Sequence, residues 1–220
     1  LDPLRLEPSV KLGFVGPGEA IPGDSHLVII PGSKSTVSDL TALRREGWDI
    51  DLAAHLRRGG HVIGLCGGYQ MLGRAIHDPE GLEGKAGSVA GLGHLDVETV
   101  LKPDKTLTEV AARHVASGLS LTGYEIHLGA TTGADCQRPF AHIGERPDGA
   151  ASRDGRVTGT YLHGCFASDG FRRAFLAGLG VTGGDLHYGA TVEDALDALA
   201  RHLEAHLDID RLLALAAPVR

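Results

Sequence analysis

The sequence predicts an α/β fold with a mostly parallel central sheet and helices on both faces. Three observations carry that expectation: short apolar runs at 26–30 and 62–65 that end in small turn-forming residues, helical-period patterns between and after them, and a third apolar run at 157–162. Parallel strands need crossovers that pack back onto the sheet, and strand, helix, strand, helix in this rhythm supplies them. Ligands of such folds bind at the C-terminal ends of the strands.

In chain order, the run at 26–30 is closed by Pro31-Gly32 and reads as a buried strand ending in a turn. Residues 35–43 have a helical pattern. Residues 48–58 form a second amphipathic helix with Ile50, Leu52, Ala53 and Leu56 as its apolar positions, stopped by Gly59-Gly60. The strand at 62–65 follows directly and runs into Cys66-Gly67-Gly68, after which the helical period resumes. The middle is less regular: 78–93 is rich in glycine and interrupted by Pro79, 95–101 alternates like a strand, and 124–127 is a short segment before a loop-like run to Asp135. The run at 157–162 delivers His163-Gly164 at its end. Helical patterns return at 171–179 and 192–215, with 180–189 as linker.

At 220 residues the chain can bury a sizeable core, and one domain is expected, with 1–185 as its body and 186–220 as a C-terminal helical extension. A hydrophobic fraction of 42% and a charged fraction of 22% belong to a globular protein. A formal charge of −7 without a basic stripe argues against nucleic-acid or anionic-membrane partners. Three irregularly spaced cysteines, Cys66, Cys136 and Cys165, form neither a disulfide framework nor a zinc site, so a reducing, cytoplasmic setting is expected and no metal. No apolar run approaches the roughly 20 residues of a membrane span. The chain opens on Leu1, and its one methionine is Met71, which points to a piece of something longer.

The chemistry is expected at Cys66. A strand that turns sharply into a helix forces the corner side chain into a cleft, and only small neighbours permit the turn. That corner also sets Cys66 at a helix N-terminus, which is expected to lower the thiol pKa. A free cysteine is often simply buried, but this one follows the apolar run and has Gly64, Gly67 and Gly68 around it. A nucleophilic thiol needs a base, and among twelve histidines His163 holds the strand-end position where α/β enzymes present functional groups. The run Gly32-Ser33-Lys34-Ser35 lacks phosphate-loop spacing. Its Gly32 and Ser33 amides, with that of Gly67, are candidates for an oxyanion hole. The plainer reading is a strand-to-helix turn capped by Ser33 or Ser35.

Four segments in register, 30–35 (Ile-Pro-Gly-Ser-Lys-Ser), 64–70 (Gly-Leu-Cys-Gly-Gly-Tyr-Gln), 123–127 (Gly-Tyr-Glu-Ile-His) and 159–164 (Gly-Thr-Tyr-Leu-His-Gly), resemble the glutamine amidotransferase domains of cobyric acid synthases. The likeness runs from about residue 1 to 179. It implies a flavodoxin-like class I glutaminase fold, with Cys66 as nucleophile and His163 as base, and Gln70 and Tyr124 as residues that hold glutamine. It further implies an upstream ATP-dependent ligase domain outside these residues, in cis or in trans, that uses ATP and Mg and amidates carboxylates of adenosylcobyrinic acid a,c-diamide. No cofactor is expected in this domain itself. The wider class places a glutamate two residues after the catalytic histidine, where this chain has Cys165. The orienting group is then missing or comes from elsewhere, and Glu125 is the one acid inside a matching motif. Three other readings stay open: the glutaminase domain of a related amide ligase (cobyrinic acid a,c-diamide synthase or lipid II amidation), another Cys–His hydrolase on the same fold, and a noncatalytic glutaminase-like module.

Overall fold

The computed structural model describes residues 1–182 and 184–216, leaving aside the side chains of residues 104–106. It separates into two units, Leu1–Gly184 and Asp185–Arg220. The first unit opens with α1 (Asp2–Arg5), β1 (Leu27–Ile30), α2 (Thr36–Arg45), α3 (Trp48–Arg57), β2 (His61–Leu65) and α4 (Gly67–Leu72). It continues with β3 (Ala75–Asp78), β4 (Gly87–Ala90), β5 (Val97–His114), β6 (Ser120–Gly133), β7 (Ala141–Ile143) and β8 (Arg146–Asp148). It closes with β9 (Ala150–Ala151), β10 (Val157–Thr160), β11 (Leu162–His163) and α5 (Asp169–Gly178).

One sheet has the order β1-β2-β10-β9. β2 is parallel to both neighbours, with Val62 opposite Val28 on one side and Val157 on the other, and β9 adds an antiparallel edge. Continuous apolar strands of this kind form when both faces are covered. Alternation of side chains divides the core in two. Val28, Ile30 and Val62 pack with Leu40, Leu43 and Leu52 from α2 and α3. Leu27, Ile29 and Ile63 pack with Leu4 of α1 and Phe171 and Leu176 of α5 on the other face. Each such leucine or phenylalanine contributes roughly 1.5–3 kcal/mol by leaving water. The expected helices and strands around this sheet form within a few residues of their predicted ends.

The middle of the chain differs from its expectation. The expected strand at 95–101 and the short segment at 124–127 belong to one long antiparallel hairpin, β5–β6, paired from Val97–Gly133 to Arg113–Ser120 with a register break between Val100 and Lys105. The stretch expected to be loop-like is strand up to Gly133. A second sheet of seven strands forms around this hairpin, with the path β11-β6-β5-β3-β4 and with β7 and β8 added beside β5. Cross-strand pairing drives these segments more than any local apolar run. The glycine-rich stretch 78–93 likewise contributes β4, antiparallel to β3.

The predicted strand 157–162 is divided between the two sheets. Its first part is β10, and after a single residue, Tyr161, the chain becomes β11 in the second sheet. Tyr161 is buried, and its hydroxyl lies 2.5 Å from the Thr131 hydroxyl and accepts from Gln70 Nε2 at 3.2 Å. A buried ion pair closes the unit: Arg172 Nε donates to Glu7 Oε1 at 2.6 Å, and Arg172 Nη1 donates to the Phe166 carbonyl at 2.9 Å.

The second unit contains α6 (Tyr188–His206) and α7 (Ile209–Leu215). The helical pattern read as 192–215 is interrupted at Leu207, which is extended, and restarts where the Asp208 carboxylate accepts the Arg211 N–H at 3.0 Å. Among the described residues no helix is long and apolar enough to cross a membrane.

Candidate active site

Cys66 is the corner between β2 and α4, at φ 52° and ψ −110°, and it is the one non-glycine with positive φ among the described residues. Such a conformation costs on the order of 1–3 kcal/mol and persists only where surroundings enforce it. The Cys66 N–H donates to the Thr160 carbonyl at 2.8 Å, and the Cys66 carbonyl accepts the Gln70 N–H at 3.1 Å. Close approach requires glycine at 68, where a Cβ would stand 2.1 Å from the Ile30 carbonyl oxygen. The elbow is thereby pressed against the end of β1.

The expected lowering of the thiol pKa is not found. Burial pushes the Cys66 thiol up, the Gly67 N–H opposes this, and the negative charge of Glu83 pushes it further up. α4 is only six residues long, so its dipole is small. The thiol instead donates to the Ile126 carbonyl at 3.0 Å, on the edge of β6.

His163 ends β11 opposite Tyr124 of β6, and the two rings stack at 5.1 Å with planes 8° apart. Burial lowers the His163 pKa, and the Ile126 carbonyl opposes this by favouring the protonated ring. Its Nε2 is buried and has no hydrogen-bond partner among the described residues. A Cβ at Gly32 would stand 3.0 Å from His163 Cε1 and 3.6 Å from Cys66 Cβ, so both side chains converge over Gly32. With the thiol raised and the imidazole lowered, the pair is neutral near pH 7. Cys66 is carried by the end of the first sheet and His163 by the second.

Gly67 and Ser33 are in contact: a Cβ at Gly67 would lie 2.9 Å from the Ser33 nitrogen. The Ser33 hydroxyl donates to Asp39 at 2.5 Å and accepts the Ser35 N–H at 2.9 Å, which fixes the turn and leaves the backbone amides of Gly32 and Ser33 without acceptors among the described residues. The amides expected to form an oxyanion hole are thus brought beside the corner.

The other candidates divide. Tyr124 is 40% exposed and covers His163. Gln70 is 3% exposed and fully engaged inside: Nε2 donates to the Leu128 carbonyl at 3.0 Å and to the Tyr161 hydroxyl, and Oε1 accepts from Thr36 at 3.3 Å. It ties α4 to β6 and has no donor left for a ligand. Glu125 is not brought to His163. Tyr124 is the residue opposite His163, so strand alternation sends Glu125 to the other face. There one oxygen accepts from Arg146 at 2.6 Å, the other is buried without a hydrogen-bond partner among the described residues, and its charge acts on His127. Cys165 is buried, which pushes its thiol up to about 12, and Cys136 lies 3.8 Å from the Tyr69 hydroxyl.

Sequence reasoning missed two influences on the thiol, the Ile126 carbonyl that accepts from it and the charge of the Glu83 carboxylate. A backbone oxygen has no sequence signal, and Glu83 lies in a loop that tertiary packing brings in. Among the described residues no group of His, Cys, Asp and Glu is arranged to hold a metal.

Curated proteins share this chain's sequence over nearly its whole length. A cobyric acid synthase of Cereibacter sphaeroides is 64% identical over 216 residues, covering 98% of this chain and 45% of that protein. A cobyric acid synthase of Paracoccus denitrificans is also 64% identical, covering 98% and 44%. The chain therefore spans about 45% of the length of these relatives. Solved structures share the fold. One is a crystal structure of a glutamine amidotransferase, with a TM-score of 0.51, 20% identity, and 71% of this chain and 80% of that one covered. Another is PurLQS from Thermotoga maritima, with a TM-score of 0.50, 18% identity, and 69% and 74% covered. The family described as the CobB/CobQ-like glutamine amidotransferase domain matches residues 1–171, a stretch that takes in every element carrying Cys66 and His163, and the chain belongs to that family.

Proposed function

We propose that this chain is the glutamine-hydrolysing part of a cobyric acid synthase, with Cys66 as nucleophile and His163 as its base. The observation that carries the reading is the strained corner at Cys66 with the free Nε2 of His163 converging on the same space. As Sγ attacks the side-chain amide carbon of glutamine, His163 takes the thiol proton. The backbone amides of Gly32, Ser33 and Gly67 receive the oxyanion, and loss of one such donor typically costs about 3 kcal/mol of barrier. The imidazolium then protonates the leaving nitrogen, and ammonia departs from a Cys66 thioester. His163 next takes a proton from water, which attacks the thioester, and glutamate leaves as the thiol is restored.

The relatives are more than twice as long as the stretch this chain matches, which supports a ligase portion in cis. That portion would bind ATP and Mg and pass the ammonia to carboxylates of adenosylcobyrinic acid a,c-diamide, in the cytoplasm. The test is intact-mass analysis after treatment with 6-diazo-5-oxo-norleucine. One adduct at Cys66, prevented by glutamine, lost in Cys66→Ser and slowed in His163→Ala, is the expected result. Labelling spread over Cys136 and Cys165, or none with the ligase portion present, would overturn the reading.

A further inference from the structure

Twice the chain passes from one sheet to the other through a single residue. β8 of the second sheet continues through Gly149 into β9 of the first, and β10 of the first continues through Tyr161 into β11 of the second. The two passages lie side by side: Ala150 and Ala151 pair antiparallel with Gly159 and Thr158, and a Cβ at Gly149 would stand 2.1 Å from the Gly159 carbonyl oxygen. Asp148, the last residue of β8, reaches across to the second passage. Its Oδ2 accepts from the Thr160 hydroxyl at 2.5 Å, and its Oδ1 accepts the Tyr161 N–H at 3.4 Å. Thr160 Oγ1 in turn accepts the Leu162 N–H at 3.0 Å. Thr160, Tyr161 and Leu162 thus all hang from one carboxylate, and the next residue is His163.

This clamp is enclosed, with Asp148 3% and Thr160 0% exposed. Arg146, two residues earlier on β8, pairs with Glu125, and Asp148 has no ion pair among the described residues. Burial pushes the Asp148 carboxyl up to about 6, so at neutral pH the folded chain holds an ionised carboxylate where its charge is disfavoured. Asparagine would remove that charge, but it presents one acceptor and one donor, whereas the second passage offers two donors, the Thr160 hydroxyl and the Tyr161 N–H. The ionised carboxylate accepts from both, at separate oxygens. We propose that Asp148 is a positioning residue for the reaction, acting through Thr160 and the Tyr161 N–H to hold the joint from which His163 converges with Cys66 over Gly32, an inference that rests on the glutaminase reading. The clamp sets the direction in which β11 leaves β10, and with it the separation of imidazole and thiol.

The test follows modification of Cys66 by 6-diazo-5-oxo-norleucine in the 220-residue chain at pH 7.5, reading the maximal labelling rate and the half-saturating concentration separately, with urea unfolding of each variant alongside. In Asp148→Asn the maximal rate should fall about tenfold, as a displacement of the imidazole by roughly half an ångström entails, with half-saturation within about twofold. Its urea midpoint should stand at or above that of wild type, so the loss of rate cannot follow from a loss of stability. Thr160→Val, which keeps the shape and removes the hydroxyl, should lose rate in the same way, and Thr160→Ser, which restores the hydroxyl, should label at close to the wild-type rate. Wild-type labelling rates in folded Asp148→Asn or Thr160→Val would overturn the proposal. So would a loss in Thr160→Ser as large as in Thr160→Val, because packing of the methyl group and not the hydrogen bond would then be the cause. If wild-type Cys66 is not labelled even with the ligase portion present, the glutaminase reading fails and the proposal with it, whereas labelling that ignores these variants leaves that reading standing and removes only Asp148 from it.

Discussion

Gly32→Ala should separate reactivity from stability at this site. The added methyl would meet His163 Cε1 at 3.0 Å, Cys66 Cβ at 3.6 Å and the Leu65 carbonyl oxygen at 3.8 Å. Only the first contact is too close, by about 0.4 Å relative to the ordinary range that begins at 3.4 Å, and it is with a side chain that can yield. Gly32 does not have positive φ, so alanine adds no backbone strain. The imidazole should therefore shift by roughly 0.4–0.5 Å while the fold persists. A misplacement of 1 Å costs on the order of 100-fold in rate, so this shift corresponds to roughly a tenfold loss, about 1.4 kcal/mol. The assay is the rate of Cys66 modification by 6-diazo-5-oxo-norleucine alongside a thermal melt. The expected result is labelling slowed about tenfold with Tm within a degree or two of wild type. Labelling at the wild-type rate in a folded variant would refute the reasoning, because His163 would then not govern the thiol from over Gly32.

Gly68→Ala should have the opposite character: its Cβ would fall 2.1 Å from the Ile30 carbonyl oxygen, a backbone atom that cannot step aside, so destabilisation of about 3 kcal/mol or more is expected in urea unfolding. Glu7→Ala would remove one of the two carboxylates that pair with the buried Arg172, leaving Asp169, and denaturant melts should show a loss of about 1.5–3 kcal/mol. Burial raises Asp148 from 3.8 to about 6 against the hydrogen bond from Thr160, so between those values the folded chain keeps a proton that the unfolded chain has lost. Stability should then fall as pH rises from about 4 to about 6, by no more than about 3 kcal/mol in total. Asp148→Asn should therefore stabilise more at pH 7.5 than at pH 5 in urea titrations, and an equal effect at both would contradict the assignment.

The parts of the molecule legible in the sequence are those whose causes are local. β1, α2, α3 and β2 announce themselves by apolar runs and by Gly and Pro at their ends. Cys66 and His163 are visible because each ends a strand. The hairpin is not, since Tyr124 and Leu107 are largely exposed and long-range pairing, interrupted near Val100, makes the strands. Gln70 and Glu125 lie in matching motifs, but a motif does not disclose which way a side chain faces. Burial turned Gln70 inward, and the pleat turned Glu125 away from His163. The direction of the Cys66 shift is not legible because a helix dipole is local and visible, whereas the burial that raises the thiol depends on tertiary packing, including contact with the Ile126 carbonyl 60 positions along the chain.

The passage from β10 to β11 through Tyr161 bears on the order of assembly. The thiol is carried by one sheet and the imidazole by the other, and one residue, anchored to Thr131 and Gln70, joins them. A chain that has folded its parallel sheet but not yet zipped its hairpin therefore has a corner cysteine without the His163 imidazole beside it. The meeting of the two side chains is thus a late event of assembly, complete only when the second sheet closes on the first.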